Sequence, residues 1–385
     1  MSVRAVRQCL TIDDLRLAAR RRLPRLVFDF IDGGARDEIT LRANRRAFDA
    51  WHLLPRVGVD VSRRQPGTTL LGRPAALPLV LAPTGLAGLY WPKGEMLACR
   101  AATAAGIPFC LSTNSVASLE AVAEDAPDSD RWFQLYPLRD RDLMGDMLRR
   151  ARSHGYRTLC FTVDLPIQGC RERDVRNGFT LPLRPSLRTA WDVLRRPAWL
   201  WGLARSPVSF GNFPALRDGA GVTTIGQHVA SLFDPSADWA LISRLRRGWD
   251  GPFVVKGVLH PDDARAAVRA GADAVIVSNH GGRQLDTVPG ACAALPGVVA
   301  AVQGEAEVLL DGGVRRGTDI LKSLALGARA CMIGRAFLWG LAAGGEAGVR
   351  RAIEILAAEL DEAMALAGVR DLAEITPDLV RARTS

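Results

Sequence analysis

Short apolar runs recur along the chain, separated by stretches with helical spacing. The first half holds LPLVLAP (77–83), IPFCLS (107–112), RWFQLY (131–136) and TLCFTVD (158–164). The second half holds PFVVKG (252–257), AVIVSN (274–279), EVLLDGG (307–313) and ACMIGR (330–335). Near-continuous hydrophobicity over so few residues marks strands buried on both faces, as in a parallel sheet covered by helices. The intervening segments carry helix signals. PDDARAAVRAGA (261–272) opens with proline and two aspartates and closes near a glycine, and TDILKSLALGA (318–328) has the same character. Eight strand-then-helix units predict an α/β fold. A (β/α)8 TIM barrel is the leading architecture and a doubly wound open sheet the alternative.

The repeat divides one domain, 1–385, into parts. Residues 1–76 form an N-terminal helical cap, 77–164 and 240–340 the barrel, and 341–385 C-terminal helices. The insert at 165–239, after the fourth strand, is too long for an ordinary βα loop and is therefore expected to be functional.

Composition narrows the function. A hydrophobic share of 48% with 24% charged residues fits a soluble protein with a large core. The net charge of +9 is carried by arginine, since lysine occurs only at Lys93, Lys256 and Lys322. Such an excess suits an anionic ligand or an anionic membrane; no nucleic-acid module or basic-aromatic repeat is present, so nucleic acid is not an expected partner. The cysteines (9, 99, 110, 160, 170, 292, 331) form no C-x-x-C pair. They read as buried thiols in a cytoplasmic compartment, and no metal site is expected. The first residues lack the apolar core of a signal peptide, and no run is long enough to span a bilayer.

In a barrel of this kind, chemistry gathers at the C-terminal ends of the strands. Thr84, Ser112, Gln134, Tyr136, Thr162, Asp164, Lys256, His280, Asp311 and Arg335 all fall at such ends. LDGGVRRG (310–317) and IGR (333–335), after strands seven and eight, combine glycines, helix starts and the guanidiniums of Arg315 and Arg335, which suits a phosphate. Lys256 reads either as a fixed cation beside a reducible ring or as half of a structural ion pair. His280, after a buried strand and before two glycines, reads as a general base with Asp164 as partner to its imidazolium. Arg283 reads as a two-pronged carboxylate clamp, with a purely structural network as the alternative. His52, His154, His228 and His260 fall in flanking segments, a turn or a helix start.

SNHGGRQLD (278–286) resembles the signature of the FMN-dependent L-2-hydroxy acid oxidases and dehydrogenases. APTG, QLY, TVD, RERD, VKG, LDGGVRRGTD and IGR match their other blocks in order, over nearly the whole chain. The resemblance implies FMN as cofactor and a small 2-hydroxy acid as substrate. It implies that His280 takes the hydroxyl or Cα proton with support from Asp164, that Arg283 and Arg171 hold the carboxylate, and that Tyr136 hydrogen-bonds the substrate. Pro83, Thr84, Gly85, Ser112, Gln134, Thr162 and Lys256 would line the flavin, and Asp311, Gly313, Arg315, Gly334 and Arg335 would bind ribityl and phosphate. Hydride and carbanion routes both stay open. Electrons would pass to a quinone or to oxygen, and a homotetramer is implied.

PTGLAGLYWPKGE (83–95), GCRERDVRNGF (169–179) and the tryptophan-rich insert most resemble the mandelate-oxidising branch, with the membrane-bound lactate-oxidising branch second. Phe30 stands where most members carry a tyrosine whose hydroxyl binds the substrate carboxylate, and no neighbouring tyrosine is expected to replace it. One hydrogen bond fewer to a charged group weakens binding by about 1.5–3 kcal/mol. The more apolar pocket points to mandelate or another bulky acid over lactate, while Gly85, expected at the substrate and flavin, opens space near the flavin's reactive edge and resembles the dehydrogenase members. In the insert, Trp191, Trp199 and Trp201 with Arg188, Arg195, Arg196 and Arg205 read as an interfacial element on an anionic membrane at 187–213, on the inner face of the cell membrane. The alternative is a lid packed on the barrel. A non-redox FMN isomerase and a catalytically silent membrane protein are the remote alternatives.

Overall fold

The computed structural model describes residues 6–179, 186–213 and 232–383; His228, much of the insert and the side chain of Arg188 lie outside what is described. Eight parallel strands close a barrel. They are β1 (Leu79–Leu81), β2 (Phe109–Ser112), β3 (Arg131–Leu135), β4 (Thr158–Thr162), β5 (Phe253–Val258), β6 (Ala274–Val277), β7 (Glu307–Asp311) and β8 (Ala330–Ile333). Each pairs with the next, and β8 returns to β1 through Cys331 opposite Leu79 and Ile333 opposite Leu81. Closure excludes the open doubly wound sheet.

Alternation along the strands builds two apolar layers. Val80, Trp132, Cys160, Val254, Ile276 and Met332 fill the barrel interior. Their neighbours Leu79, Leu81, Phe133, Leu159, Val255 and Val275 belong to the layer beneath the helices. A strand with period-2 geometry and a core on both faces has no position for a polar residue until its end. That is why the apolar runs were legible, and why polar side chains collect at the C-terminal rim.

The N-terminal cap is tied to that rim. Helix Ile12–Arg22 starts in a capping box, with the Asp14 amide donating to Thr11 Oγ1 at 3.1 Å and the Thr11 amide donating to the Asp14 carboxylate at 2.9 Å. Helices Arg25–Asp32 and Ile39–Asp49 then reach the loop after β6: the Ala35 amide donates to Gly282 O, and Asn44 pairs with Asn279. The insert contributes helices Leu187–Leu194 and Pro197–Arg205. Buried Asn212 fastens the insert's next stretch to the end of β2 by donating to Ser112 O and Thr113 O.

One glycine sets the spacing of the rim. The β5–β6 register shifts between Lys256 and Val258, where Gly257 takes φ +106°. A Cβ there would lie 2.6 Å from both Cβ and Cγ of Asp164. Gly257→Ala is therefore expected to destabilise the fold by about 1–3 kcal/mol and to displace Asp164. An unchanged denaturation midpoint would count against this reading.

Candidate active site

His280 sits in a strained turn that the rest of the fold holds in place. Three successive residues, His280, Gly281 and Gly282, take left-handed φ of 55°, 64° and 72°. A histidine there costs conformational energy, so the surroundings must impose it. Asn279 does so with both ends of its amide. Its Nδ2 donates to Asn44 Oδ1 and Pro289 O, while its Oδ1 accepts from Asn44 Nδ2 and from the Gly282 amide. The His280 amide donates to Ser278 Oγ at 3.1 Å. Glycine is required at 281 and 282, because a Cβ would meet Arg335 Nη1 at 2.5 Å and the Leu41 amide nitrogen at 2.6 Å.

The turn aims the imidazole between two partners. Asp164 Oδ1 lies 2.9 Å from His280 Nδ1, and the Tyr136 hydroxyl lies 3.5 Å from Nε2. A carboxylate on Nδ1 keeps that nitrogen protonated and leaves the Nε2 lone pair as the acceptor facing the cavity. Burial pushes the Tyr136 phenol upward, with the Asp164 charge adding to it, so the phenol stays a donor. Phe233, at the far end of the insert, packs edge-on against Tyr136 at 5.1 Å.

Two pairs of guanidiniums define the cavity's charge. Arg171 and Arg283 lie over the Phe30 ring, at 5.2 and 5.0 Å from its centroid. Arg171 donates to Asp174 at 2.8 Å, whereas Arg283 donates to the carbonyls of Phe30 and Gly33. Arg335 donates to Ile31 O, Gly281 O and Gly33 O, and Arg315 stacks 4.5 Å over Trp339. Burial pulls Arg283 down to about 9, helped by the Arg171 and Arg335 cations. Arg315 and Arg335 are pulled to about 10 by burial and by adjacent guanidiniums. Each of these three lacks a paired carboxylate among the described residues, so a bound anion would relieve each.

The residues expected to line a flavin divide into two groups. Lys256 Nζ is 2.6 Å from Asp311 and donates to Ser278 Oγ at 2.9 Å, so the ion-pair reading of Lys256 is realised in the geometry. Burial alone would lower the ammonium, but the Asp311 and Asp164 carboxylates outweigh it and hold Lys256 above its ordinary value. Pro83, Thr84, Gly85, Lys256, Asp311, Gly313, Arg315, Gly334 and Arg335 all line the cavity. Ser112, Gln134 and Thr162 do not; they are buried at the ends of β2, β3 and β4. Gln134 Nε2, Thr162 Oγ1 and Asn114 Oδ1 are buried polar atoms without a partner. Buried polar groups normally find one, so this unmet donor-and-acceptor set fits the polar edge of a flavin ring. Gly312 and Gly313, at φ 121° and 89°, lead toward helix Gly317–Ala325 and fit a phosphate beside Arg315 and Arg335.

The cavity measures about 890 Å³, and besides these residues its lining includes a set of apolar side chains, its apolar arm. Trp199, Leu203, Val208 and Phe210 of the insert line that arm together with Leu86 and Leu89. Tyr90, Asp174 and Phe179 also face the cavity, although the sequence pattern did not single them out for it. Tyr90 lies in the quoted 83–95 block, and its place just after β1 was the available signal. The insert's tryptophans divide: Trp199 is buried and donates to Leu89 O, while Trp191 and Trp201 are 64% and 62% exposed.

Comparison with known proteins places this geometry. The family model for FMN-dependent dehydrogenases matches residues 19–382. The chain is 48% identical over 373 residues to an L-lactate dehydrogenase of Caulobacter vibrioides, covering 96% of this chain and 97% of that protein. It is 45% identical over 372 residues to an L-lactate dehydrogenase of Pseudomonas aeruginosa, covering 96% and 97%. Among solved structures it is similar to the monotopic membrane protein (S)-mandelate dehydrogenase, with TM-score 0.94, 39% identity, and coverage of 98% of this chain and 100% of that one.

Proposed function

Since the chain belongs to the FMN-dependent dehydrogenase family, with FMN-dependent 2-hydroxy acid oxidation as its reaction, we propose that its substrate is an L-2-hydroxy acid with an apolar side chain larger than methyl. The observation that carries this reading is the arm of Leu86, Leu89, Leu203, Val208 and Phe210, continuous with the space beside Arg171 and Arg283. A carboxylate held by the two guanidiniums leaves an apolar substituent free to occupy the arm, where burying it is favourable by about 0.8 kcal/mol per CH₂. L-Lactate is the second reading, favoured by the two lactate dehydrogenase relatives.

The chain's own groups divide the work. Arg171 and Arg283 bind the carboxylate, and Tyr136 donates to the substrate oxygen beside His280. His280 accepts a proton at Nε2, from the hydroxyl or from Cα, and Asp164 favours the imidazolium that results. When bound, FMN supplies the two-electron oxidant. Pro83, Thr84, Gly85, Ser112, Gln134, Thr162 and Lys256 would hold its ring, and Asp311, Gly313, Arg315, Gly334 and Arg335 its ribityl and phosphate.

The insert supports a membrane-surface role. Leu187, Trp191, Leu194 and Trp201 are exposed, Arg195 and Arg205 are exposed beside them, and the Arg205 guanidinium lies 4.4 Å over the Trp201 ring. Exposed indoles with cations suit the headgroup layer of an anionic bilayer. No helix among the described residues is long and apolar enough to cross a membrane. Attachment there would bring the apolar arm close to a lipid-soluble quinone as electron acceptor.

Anaerobic mixing with (S)-mandelate and with L-lactate tests the substrate. Mandelate is expected to bleach the flavin's visible band with the higher kcat/KM, and a strong preference for lactate would defeat the bulky-acid reading. His280→Asn is expected to keep its flavin yet to be reduced at least about a hundredfold more slowly; reduction at the wild-type rate would remove His280 from the reaction. Sedimentation with anionic vesicles should carry the protein down at low salt, and less of a Trp191→Ala/Trp201→Ala variant. No sedimentation at any ionic strength would end the membrane proposal.

A further inference from the structure

Phe30 presents only carbon to the two guanidiniums stacked on it. A substrate carboxylate drawn to Arg171 and Arg283 receives no hydrogen bond from that ring. Phe179, whose ring packs 4.7 Å from that of Phe30, has none to give either.

A second phenol nevertheless lies in the same cavity. Tyr90 ends the short helix Ala87–Tyr90 after β1 and is only 1% exposed. It lines the cavity together with Phe30, Arg171, Asp174 and Arg283. Its place is fixed from the backbone: Arg22 donates to Tyr90 O, and Trp199 donates to the preceding carbonyl, Leu89 O. The three tyrosines differ in what their hydroxyls meet. Tyr156 donates to Leu119 O at 2.9 Å, and Tyr136 faces His280. The Tyr90 hydroxyl has no hydrogen-bond partner among the described residues. A phenol that lines a cavity without a protein acceptor is free to donate to whatever occupies that cavity.

The surroundings say what that acceptor is. Burial pushes the Tyr90 phenol well above its ordinary value, with the Arg283 and Arg171 cations opposing, so it keeps its proton. Arg283 in turn has Tyr90 among the groups acting on it. A neutral donor that lines the same cavity as Arg171 and Arg283 is matched by an anion seated on those cations.

We propose that Tyr90 is a substrate-binding residue, its hydroxyl donating a hydrogen bond to the carboxylate that Arg171 and Arg283 hold. The clamp then has three donors, two charged and one neutral. Phe30 serves as the apolar plate on which the guanidiniums stack. This rests on the 2-hydroxy acid reading above and adds a residue to it.

The test uses the flavin-loaded full-length protein and its Tyr90→Phe variant, which removes one oxygen and preserves shape. Oxalate and mandelamide are titrated against the oxidised flavin's visible spectrum, and steady-state KM and kcat are measured with (S)-mandelate. Tyr90→Phe is expected to weaken oxalate binding about tenfold or more. KM should rise by a similar factor while kcat changes less, and mandelamide affinity should stay within about twofold. Unchanged oxalate affinity in the variant, or an equal loss for oxalate and mandelamide, would overturn the inference and leave the 2-hydroxy acid reading intact. If the wild-type protein binds no oxalate and is bleached by no hydroxy acid, both fall together.

Discussion

Positive charge without matching negative charge is the constraint around which this molecule is arranged. Arg283, Arg315 and Arg335 all reach one cavity at the barrel rim, and none forms an ion pair with a carboxylate among the described residues. Removing such groups from water costs several kcal/mol per ion. The fold offsets part of that cost with carbonyls from the cap: Ile31 and Gly33 accept from Arg335, and Phe30 and Gly33 accept from Arg283. Dipoles soften the charge but do not cancel it. Under the proposed function, two anionic groups, the phosphate of FMN and the carboxylate of the substrate, would complete the site. The two cations that do have partners, Lys256 with Asp311 and Arg171 with Asp174, sit where a fixed orientation matters more than free charge.

The cap is therefore part of the active site as well as a cover for the barrel end. Helix Ile39–Asp49 supplies Asn44, whose amide locks Asn279 and thereby the left-handed turn at His280. The end of helix Arg25–Asp32 and the following Gly33 supply carbonyls that orient Arg283 and Arg335. Strain at His280, close packing at Gly281 and Gly282, and the Asp164 contact with Gly257 form one linked arrangement. A change at any of these points is felt at the imidazole.

Much of this was legible in the order of residues. Near-continuous apolar runs announced the eight strands, because a strand between two cores must be apolar on both faces. The polar residues that end those runs then fell together at one rim, as barrel geometry requires, and His280, Asp164, Arg283 and Arg171 are neighbours in space. Other features left no such trace. Tyr90 follows a strand by several residues, a weak signal on its own, and the fold places it in the same cavity as the arginines. Trp199 and Trp201 are two residues apart and looked equivalent, yet helix geometry buries one and exposes the other. Asn44 lies more than two hundred residues from its partner, and nothing local marks an amide that will brace a distant turn. Spacing reveals which element a residue belongs to; which loops converge is decided by packing.

The central claim is that buried, unmatched guanidinium charge selects a carboxylate in this cavity. Its most direct test compares a 2-oxo acid with its methyl ester, binding to the oxidised, flavin-loaded wild-type protein, by the shift of the visible flavin spectrum. The acid is expected to bind about a hundredfold more tightly than the ester, with the gap narrowing little as salt is raised, because the charges are shielded from solvent. Equal affinity for acid and ester would contradict the account.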